Sequence, residues 1–237
     1  MKEQAETRRT FFKTTGLLLG SVFVGAPPVL RAGPLVFRPQ GEAAEEVSPA
    51  EDLMREHGVL KRVLLVYDEI ANRLTTRRRD VSPEALSGAA DIIRTFIENY
   101  HEKSEENYLF PRFEKAGMLV ELVSTLRTQH QRGRILTDLI VKDATIKTMQ
   151  GHDGSKRLVR RIRRFVRMYN PHEAREDTVL FPAFRKIVSS NEYDALGEEF
   201  EKKEHELFGE DGFERYVNKV AELEKFLGIY DLTQFTP

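Results

Sequence analysis

The 237-residue chain is 40% apolar and 32% charged, with a formal net charge of −1. That length supports one domain with a sizeable core and some chain to spare, and so balanced a charge gives no general affinity for nucleic acid. Cysteine is absent, which excludes disulfides, thiolate metal ligands, iron–sulfur clusters and a cysteine nucleophile and leaves any metal to imidazole and carboxylate, donors that suit iron, manganese or zinc.

The N-terminus reads as an address. Thr7-Arg8-Arg9-Thr10-Phe11-Phe12-Lys13 precedes an apolar, small-residue run from Thr14 to Ala26. Paired arginines, an aromatic pair and a lysine before such a run look like a twin-arginine export signal. The run is too short to span a bilayer as a mature helix. Residues 1–32 are therefore expected to be a signal segment, cut near Ala32 or kept as an anchor. The expected location is the periplasm or another extracytoplasmic space. Residues 33–49 (Gly33, Pro34, Pro39, Gly41, Pro49) read as a linker without sustained period.

From Glu51 onward a helical period takes over. Leu53, His57, Leu60, Leu64, Tyr67, Ala71 and Leu74 recur at spacings of three and four, the seam of a bundle helix, and Arg77-Arg78-Arg79 suit its negative C-terminal end. Ser82-Pro83-Glu84 opens a second helix with the seam Leu86, Ala90, Ile93, Ile97, His101, Glu105 and Tyr108, closed by Gly117. A third, from about Met118 to Met149, has the seam Leu119, Val123, Leu126, His130, Gly133, Thr137 and Ile140. Gly151 to Ser155 reads as a turn, and a fourth helix carries Leu158, Ile162, Phe165, Tyr169, His172, Glu176, Val179 and Ala183. Short connections predict antiparallel neighbours. The expected fold is all-α, an up-down four-helix bundle over residues 50–190. Residues 191–237 form a C-terminal helical extension, with helices near Glu192–Phe208 and Phe213–Leu227.

The four helices contain a repeat. His101-Glu102-Lys103-Ser104-Glu105-Glu106-Asn107-Tyr108-Leu109-Phe110-Pro111 matches His172-Glu173-Ala174-Arg175-Glu176-Asp177-Thr178-Val179-Leu180-Phe181-Pro182, 71 residues later. His57 and His130 match at an offset of 73. Each hairpin thus supplies a lone histidine and then a His-x-x-x-Glu pair. Positions four apart lie one above the other on a helix, so each pair points into the seam. Four of the six histidines fall on seams, and buried imidazoles and carboxylates without partners would be costly. If each iron takes two histidines and both glutamates bridge, an oxo or hydroxo bridge leaves one open position per octahedral ion, the setting for non-haem iron chemistry.

These residues resemble the hemerythrin-like, HHE cation-binding family, whose signature His-x-x-x-Glu-(Glu/Asp)-x-x-Leu-Phe-Pro occurs twice here. The resemblance covers about residues 50–190, with a weaker likeness through Phe200-Glu201-x-x-Glu204-His205-x-x-x-Gly209. It implies a four-helix bundle and a carboxylate-bridged di-iron centre, two Fe ions with an oxo or hydroxo bridge, with Mn or Zn as other occupants. The implied ligands are His57, His101, Glu105, His130, His172 and Glu176. Hemerythrin proper has His-x-x-x-His on its third helix, whereas His130 is followed at that offset by Arg134. Reversible oxygen carriage is thereby disfavoured, and the chain is closer to bacterial members that resemble iron-centre repair factors. His205 is a candidate fifth nitrogen. Glu102, Glu173, Glu106 and Asp177 are candidate partners of the ligands. Tyr67, Tyr108 and Tyr169 are assigned to packing, and His152 to an exposed turn.

The implied role is binding of a small ligand: oxygen, nitric oxide or peroxide. The alternatives are a di-iron enzyme reducing peroxide or oxygen, an iron-handling protein, and a helical partner-binding bundle whose metal is structural. Lys156-Arg157, Arg160-Arg161, Arg163-Arg164 and Arg167 read as a solvated face, with contact to an anionic membrane surface as the alternative. Phe110-Pro111 and Phe181-Pro182 are expected to bend their helices just past the ligands. No glycine-rich phosphate loop, nucleophile elbow or dinucleotide fingerprint is present.

Overall fold

Four of the described α-helices begin on a capping side chain, that of Ser48, Ser82, Thr145 or Ser189. The computed structural model describes residues 47–76 and 81–237. The twin-arginine segment, most of the linker and Arg77-Arg78-Arg79 lie outside the described residues. The first helix, α1 (Pro49–Thr75), starts on a capping box in which the Ser48 hydroxyl and the Glu51 carboxylate satisfy each other's backbone N–H groups, with Pro49 in the first turn. α2 covers residues 83–116 and is capped by Ser82. It ends at Gly117, whose φ of 64° puts it in the left-handed region glycine tolerates. α3 (Val120–Asp143) follows Leu119, which itself has a φ of 52°.

The third helix is shorter than its sequence suggests. The chain breaks at Ala144, and Thr145 caps a separate short helix, α4 (Ile146–Gln150). The fourth long helix, α5 (residues 152–184), starts earlier than expected, because Gly151 takes the N-cap and Gly154 and Ser155 are already helical. A Cβ on Gly154 would lie 2.5 Å from the Thr148 carbonyl. Glycine here lets α4 fold back onto the start of α5 rather than forming a loose turn. α6 (Ser190–Phe208) is capped by Ser189, and α7 (Gly212–Leu227) ends at Gly228 with φ 67°.

The described residues are all helical or connecting, without strands, and Ser48–Pro237 form one compact unit. α1 lies along α5, α5 along α3, and α2 touches both α1 and α3; α7 packs on α1 and α2, and α6 on α1. No described helix is long and apolar enough to cross a membrane. Two apolar clusters result. The larger includes Val63, Tyr67, Phe96, Ile140, Phe165 and Tyr169. The smaller includes Leu53, Leu109, Phe110, Phe113, Leu126, Leu180, Phe181 and Phe200. Along each long helix the seam histidine lies between residues of one cluster and residues of the other, so a polar layer crosses the core between them.

The basic run on α5 is partly structural. Arg157 and Arg161 both pair with Asp143 at the end of α3, and the Arg163 guanidinium donates to the Thr75 hydroxyl. These contacts hold the basic face to the ends of its two neighbouring helices.

Candidate metal centre

The two motif helices carry the same local distortion directly after the motif histidine and glutamate. Glu105–Leu109 and Glu176–Leu180 are π-helical, with the N–H groups of Phe110 and Phe181 bonded to the carbonyls of Glu105 and Glu176, five residues back. Pro111 and Pro182 follow. A proline ring lacks an N–H and collides with the carbonyl four residues earlier, and a widened turn relieves that collision. The extra residue in the turn moves the seam by one. Leu109 and Leu180 are buried where Tyr108 and Val179 were expected, and Phe184 is buried in place of Ala183. The expected bend is thus a register shift, and it brings Phe110 and Phe181 over the core.

Those phenylalanines stack crosswise. Phe181 lies over the His57 ring and Phe110 over the His130 ring, each at 5.5 Å between centroids and 23° between planes. The acid after each motif glutamate is also used crosswise. His57 Nδ1 lies 2.7 Å from Asp177 Oδ1, and His130 Nδ1 lies 3.1 Å from Glu106 Oε1. The motif histidines are held within their own halves: His101 Nδ1 is 2.7 Å from Glu56 Oε2, and His172 Nδ1 is 2.8 Å from Gln129 Oε1. Every one of the four imidazoles therefore turns Nδ1 outward to an oxygen acceptor and Nε2 inward.

The inward atoms converge. Donor atoms of His57, His101 and Glu105 lie within 4.8 Å of one another, and so do those of His130, His172 and Glu176. The residues are all buried. His130 Nε2 and His172 Nε2 face each other at 3.2 Å. Glu106 and Gln129 Oε1 take the Nδ1 protons, so in the neutral rings both Nε2 atoms present lone pairs to each other. Glu105 Oε1 and Oε2, Glu176 Oε1 and Oε2, and His57 Nε2 are buried without a hydrogen bond of good geometry; their contacts are with one another's side chains in the layer, His172 Nε2 to Glu176 Oε2 at 3.1 Å and His57 Nε2 to Glu176 Oε2 at 3.5 Å. Opposed lone pairs and orphaned carboxylate oxygens in one dry layer are costly. A cation among them removes that cost, and outward Nδ1 acceptors are how metal-ligating histidines are oriented. The donor set is imidazole and carboxylate only, which fits iron, manganese or zinc.

Without a cation, protons take part of its place. Burial opposes the His57 charge, but the hydrogen bonds and charges of Asp177 and Glu176 raise its pKa from 6.5 to about 9. Burial lowers His130 to about 4 and drives His101 well below the usual range. Burial, then the charge of Glu176, pushes Glu105 well above the usual carboxylate range. His172 and His57 hold Glu176 well below it against its own burial. The sign for His57 follows from its raised folded value. Its protonation stabilises the metal-free fold fully below about pH 6.5, and that contribution is lost as pH rises through about 9. Metal uptake near pH 7.5 is accordingly expected to release a proton. Titrating the metal-free protein with metal in weak buffer containing an indicator dye measures it. Uptake without proton release would contradict the ligand role of His57.

The six side chains lie in two groups of three, His57, His101 and Glu105, and His130, His172 and Glu176. Glu102 forms a further group of clustered donor atoms with Glu106 and His130, and both Glu102 and Glu173 are also held by other side chains. Glu102 accepts from the Tyr169 hydroxyl at 2.6 Å and pairs with Arg134 at 2.7 Å, while Glu173 accepts from Lys61 Nζ at 2.5 Å. Tyr169 reaches that position because a Cβ on Gly133 would lie only 2.0 Å from its hydroxyl; it is thus both core and polar partner. His205 is exposed and outside the clustered donors, because the same helix turns its neighbour Glu204 inward to the Phe213 N–H. Glu56 and Gln129, the acceptors for His101 and His172, are not among the candidates that the sequence motifs point to. Their signal was available in the repeat, since each immediately precedes a lone histidine.

The model of the Hemerythrin HHE cation binding domain matches the chain twice, over residues 48–155 and 121–233. "Uncharacterized protein Rv1995" of Mycobacterium tuberculosis and "Uncharacterized protein Mb2018" of Mycobacterium bovis are each 48% identical to it over 222 residues, covering 94% of this chain and 86% of the relative. No solved structure matches. With its doubled motif, its inward Nε2 atoms and these matches, the chain belongs to the hemerythrin HHE cation-binding family.

Proposed function

We propose that the protein is an exported non-haem di-iron protein that binds a small ligand, with oxygen, nitric oxide and peroxide as the candidates, on an up-down four-helix bundle. His57, His101, His130 and His172 would hold the two irons with Glu105 and Glu176. The observation that carries this reading is the pair of opposed Nε2 atoms at 3.2 Å beside four buried carboxylate oxygens that make no hydrogen bond of good geometry. Bound there, the irons would supply Lewis acidity and one-electron chemistry to a small ligand. The chain's own part is to fix the imidazole tautomers through Asp177, Glu106, Glu56 and Gln129. The apolar clusters on both sides, with Phe110 and Phe181 against the rings, keep bulk water from the layer. Export rests on the Thr7–Ala26 pattern.

A second reading, reduction of peroxide or oxygen, draws on the equality of the two halves. Each contributes two imidazoles, and Arg134 stands where a further one would saturate one metal. Metal analysis and optical spectra of the aerobically purified full chain test the common core. About two irons per chain with oxo-bridge absorption are expected of a site of this symmetry. Stopped-flow mixing then separates the readings. A stable, reversible ligand adduct supports binding, and sustained peroxide consumption supports catalysis. Purified protein that holds no metal and takes up none would overturn both.

A further inference from the structure

Both halves place a cation–carboxylate pair beside the centre, but they do not shield it equally. Lys61 and Arg134 stand four residues after His57 and His130, at matching positions of the repeat. Each reaches into the opposite half, to the glutamate that follows the motif histidine. Lys61 Nζ lies 2.5 Å from Glu173 and 2.6 Å from Asn170. Arg134 lies 2.7 Å from Glu102 and 2.8 Å from Glu106. The Lys61 side chain is 51% exposed and that of Arg134 23%. The acids that orient the lone histidines differ in the same direction, Asp177 at 35% and Glu106 at 10%. On the Arg134 side, Tyr169 also fastens Glu102 at 2.6 Å.

We infer that the Lys61–Glu173 pair is the gate through which metal ions and small ligands reach the buried layer, and that Arg134 is the fixed wall opposite. The chemistry of the two cations matches these roles. Lysine is a strongly hydrated point charge on a flexible stem, and an exposed ion pair of this kind is held weakly. Arginine presents a planar fork, here spread over two carboxylates, and loses less freedom for each bond it makes. With Lys61 swung outward, Glu173 and Asp177 line the mouth. Two carboxylates there favour divalent cations and uncharged small molecules over anions. The gate borrows its cargo from the metal centre proposed above, whereas its opening is a property of the chain alone.

The test uses the full-length metal-free protein and two readouts. The first is the rate of Co(II) uptake followed by absorbance. The second is hydroxyl-radical footprinting read at His57 and His130, with the exposed His152 and His205 as internal references. Lys61→Ala is expected to speed uptake by up to about fivefold, the most that releasing an exposed ion pair yields, and to raise oxidation at His57 but not at His130. Arg134→Lys, which puts a flexible point charge in place of the fork, is expected to raise oxidation at His130 toward the level at His57. Faster oxidation at His130 than at His57, or uptake accelerated by Arg134→Lys and not by Lys61→Ala, would place the opening on the other side and overturn the inference. So would a Lys61→Ala protein indistinguishable from wild type in both readouts. Failure to take up Co(II) at all would remove the metal reading, while the footprint at the two histidines still decides the gate.

Discussion

Alanine at His101 or at His172 is expected to empty the centre of iron while leaving the helices intact. Each imidazole turns Nε2 toward the layer and is locked by its own acceptor, Glu56 for His101 and Gln129 for His172. Its loss removes one of only two nitrogens in its half, and a first-row divalent ion depends heavily on each such donor. Metal-free protein of either variant should fold, because the two apolar clusters that hold the helices together include neither histidine. The measurement is iron per chain after aerobic purification, set beside far-ultraviolet circular dichroism. Wild-type iron content in a folded variant would contradict the ligand assignment. The loss of the acceptor that orients a ring, as in Asp177→Ala, acts only through ring orientation and is therefore smaller, about 10- to 100-fold in metal affinity.

The second large effect is one of stability. Arg134→Met is expected to cost about 3 kcal/mol, because Glu102 is left buried without its counter-charge. For a domain of this size that is a fall of roughly 10 °C in the unfolding midpoint. Near pH 7 the cost is smaller than that, because burial already raises Glu102 to about 8 and the carboxyl is mostly protonated; the loss is fully expressed only above that value. The penalty should therefore grow as pH rises from 7 toward 9, where keeping that proton becomes harder. Adding Glu102→Gln should return most of the loss, since an amide needs no cation and still accepts from the Tyr169 hydroxyl. Thermal unfolding of the metal-free single and double variants at two pH values checks this. Equal losses in the single and the double variant would show that Arg134 stabilises by packing rather than by charge.

The six candidate positions were legible because steps of four or three lead to each histidine, Leu53 to His57, Ile97 to His101, Leu126 to His130 and Tyr169 to His172, and the repeat pairs a carboxylate with two of them; the π-helical stretch Ile93–His101 still leaves Ile97 and His101 buried. Legibility stops at Glu105 and Glu176. Beyond them a period of 3.6 points to Tyr108, Val179 and Ala183, whereas the widened turn before each proline advances the buried face to Leu109, Leu180 and Phe184. Pro111 and Pro182 were visible in the sequence, but a proline does not say whether the helix will bend or widen. Pairs formed between helices were illegible for a different reason. Arg134 with Glu102, Lys61 with Glu173 and His57 with Asp177 depend on the rotation of one helix against another, which no single-helix pattern encodes. Gly133 was read as an ordinary seam position, yet it is the space that allows the Tyr169 hydroxyl to lie between α3 and α5.

The crosswise use of Asp177, Glu106, Phe181 and Phe110 makes the two hairpins mutually dependent. The first hairpin alone would present His57 without its acceptor and without its aromatic cover, and the second would leave His130 equally bare. Half the chain is therefore not half a site. Such an arrangement is what two identical hairpins, associated face to face, would leave behind once a single gene encoded them in tandem. Any change in one copy's acid or phenylalanine is thus answerable to a histidine in the other.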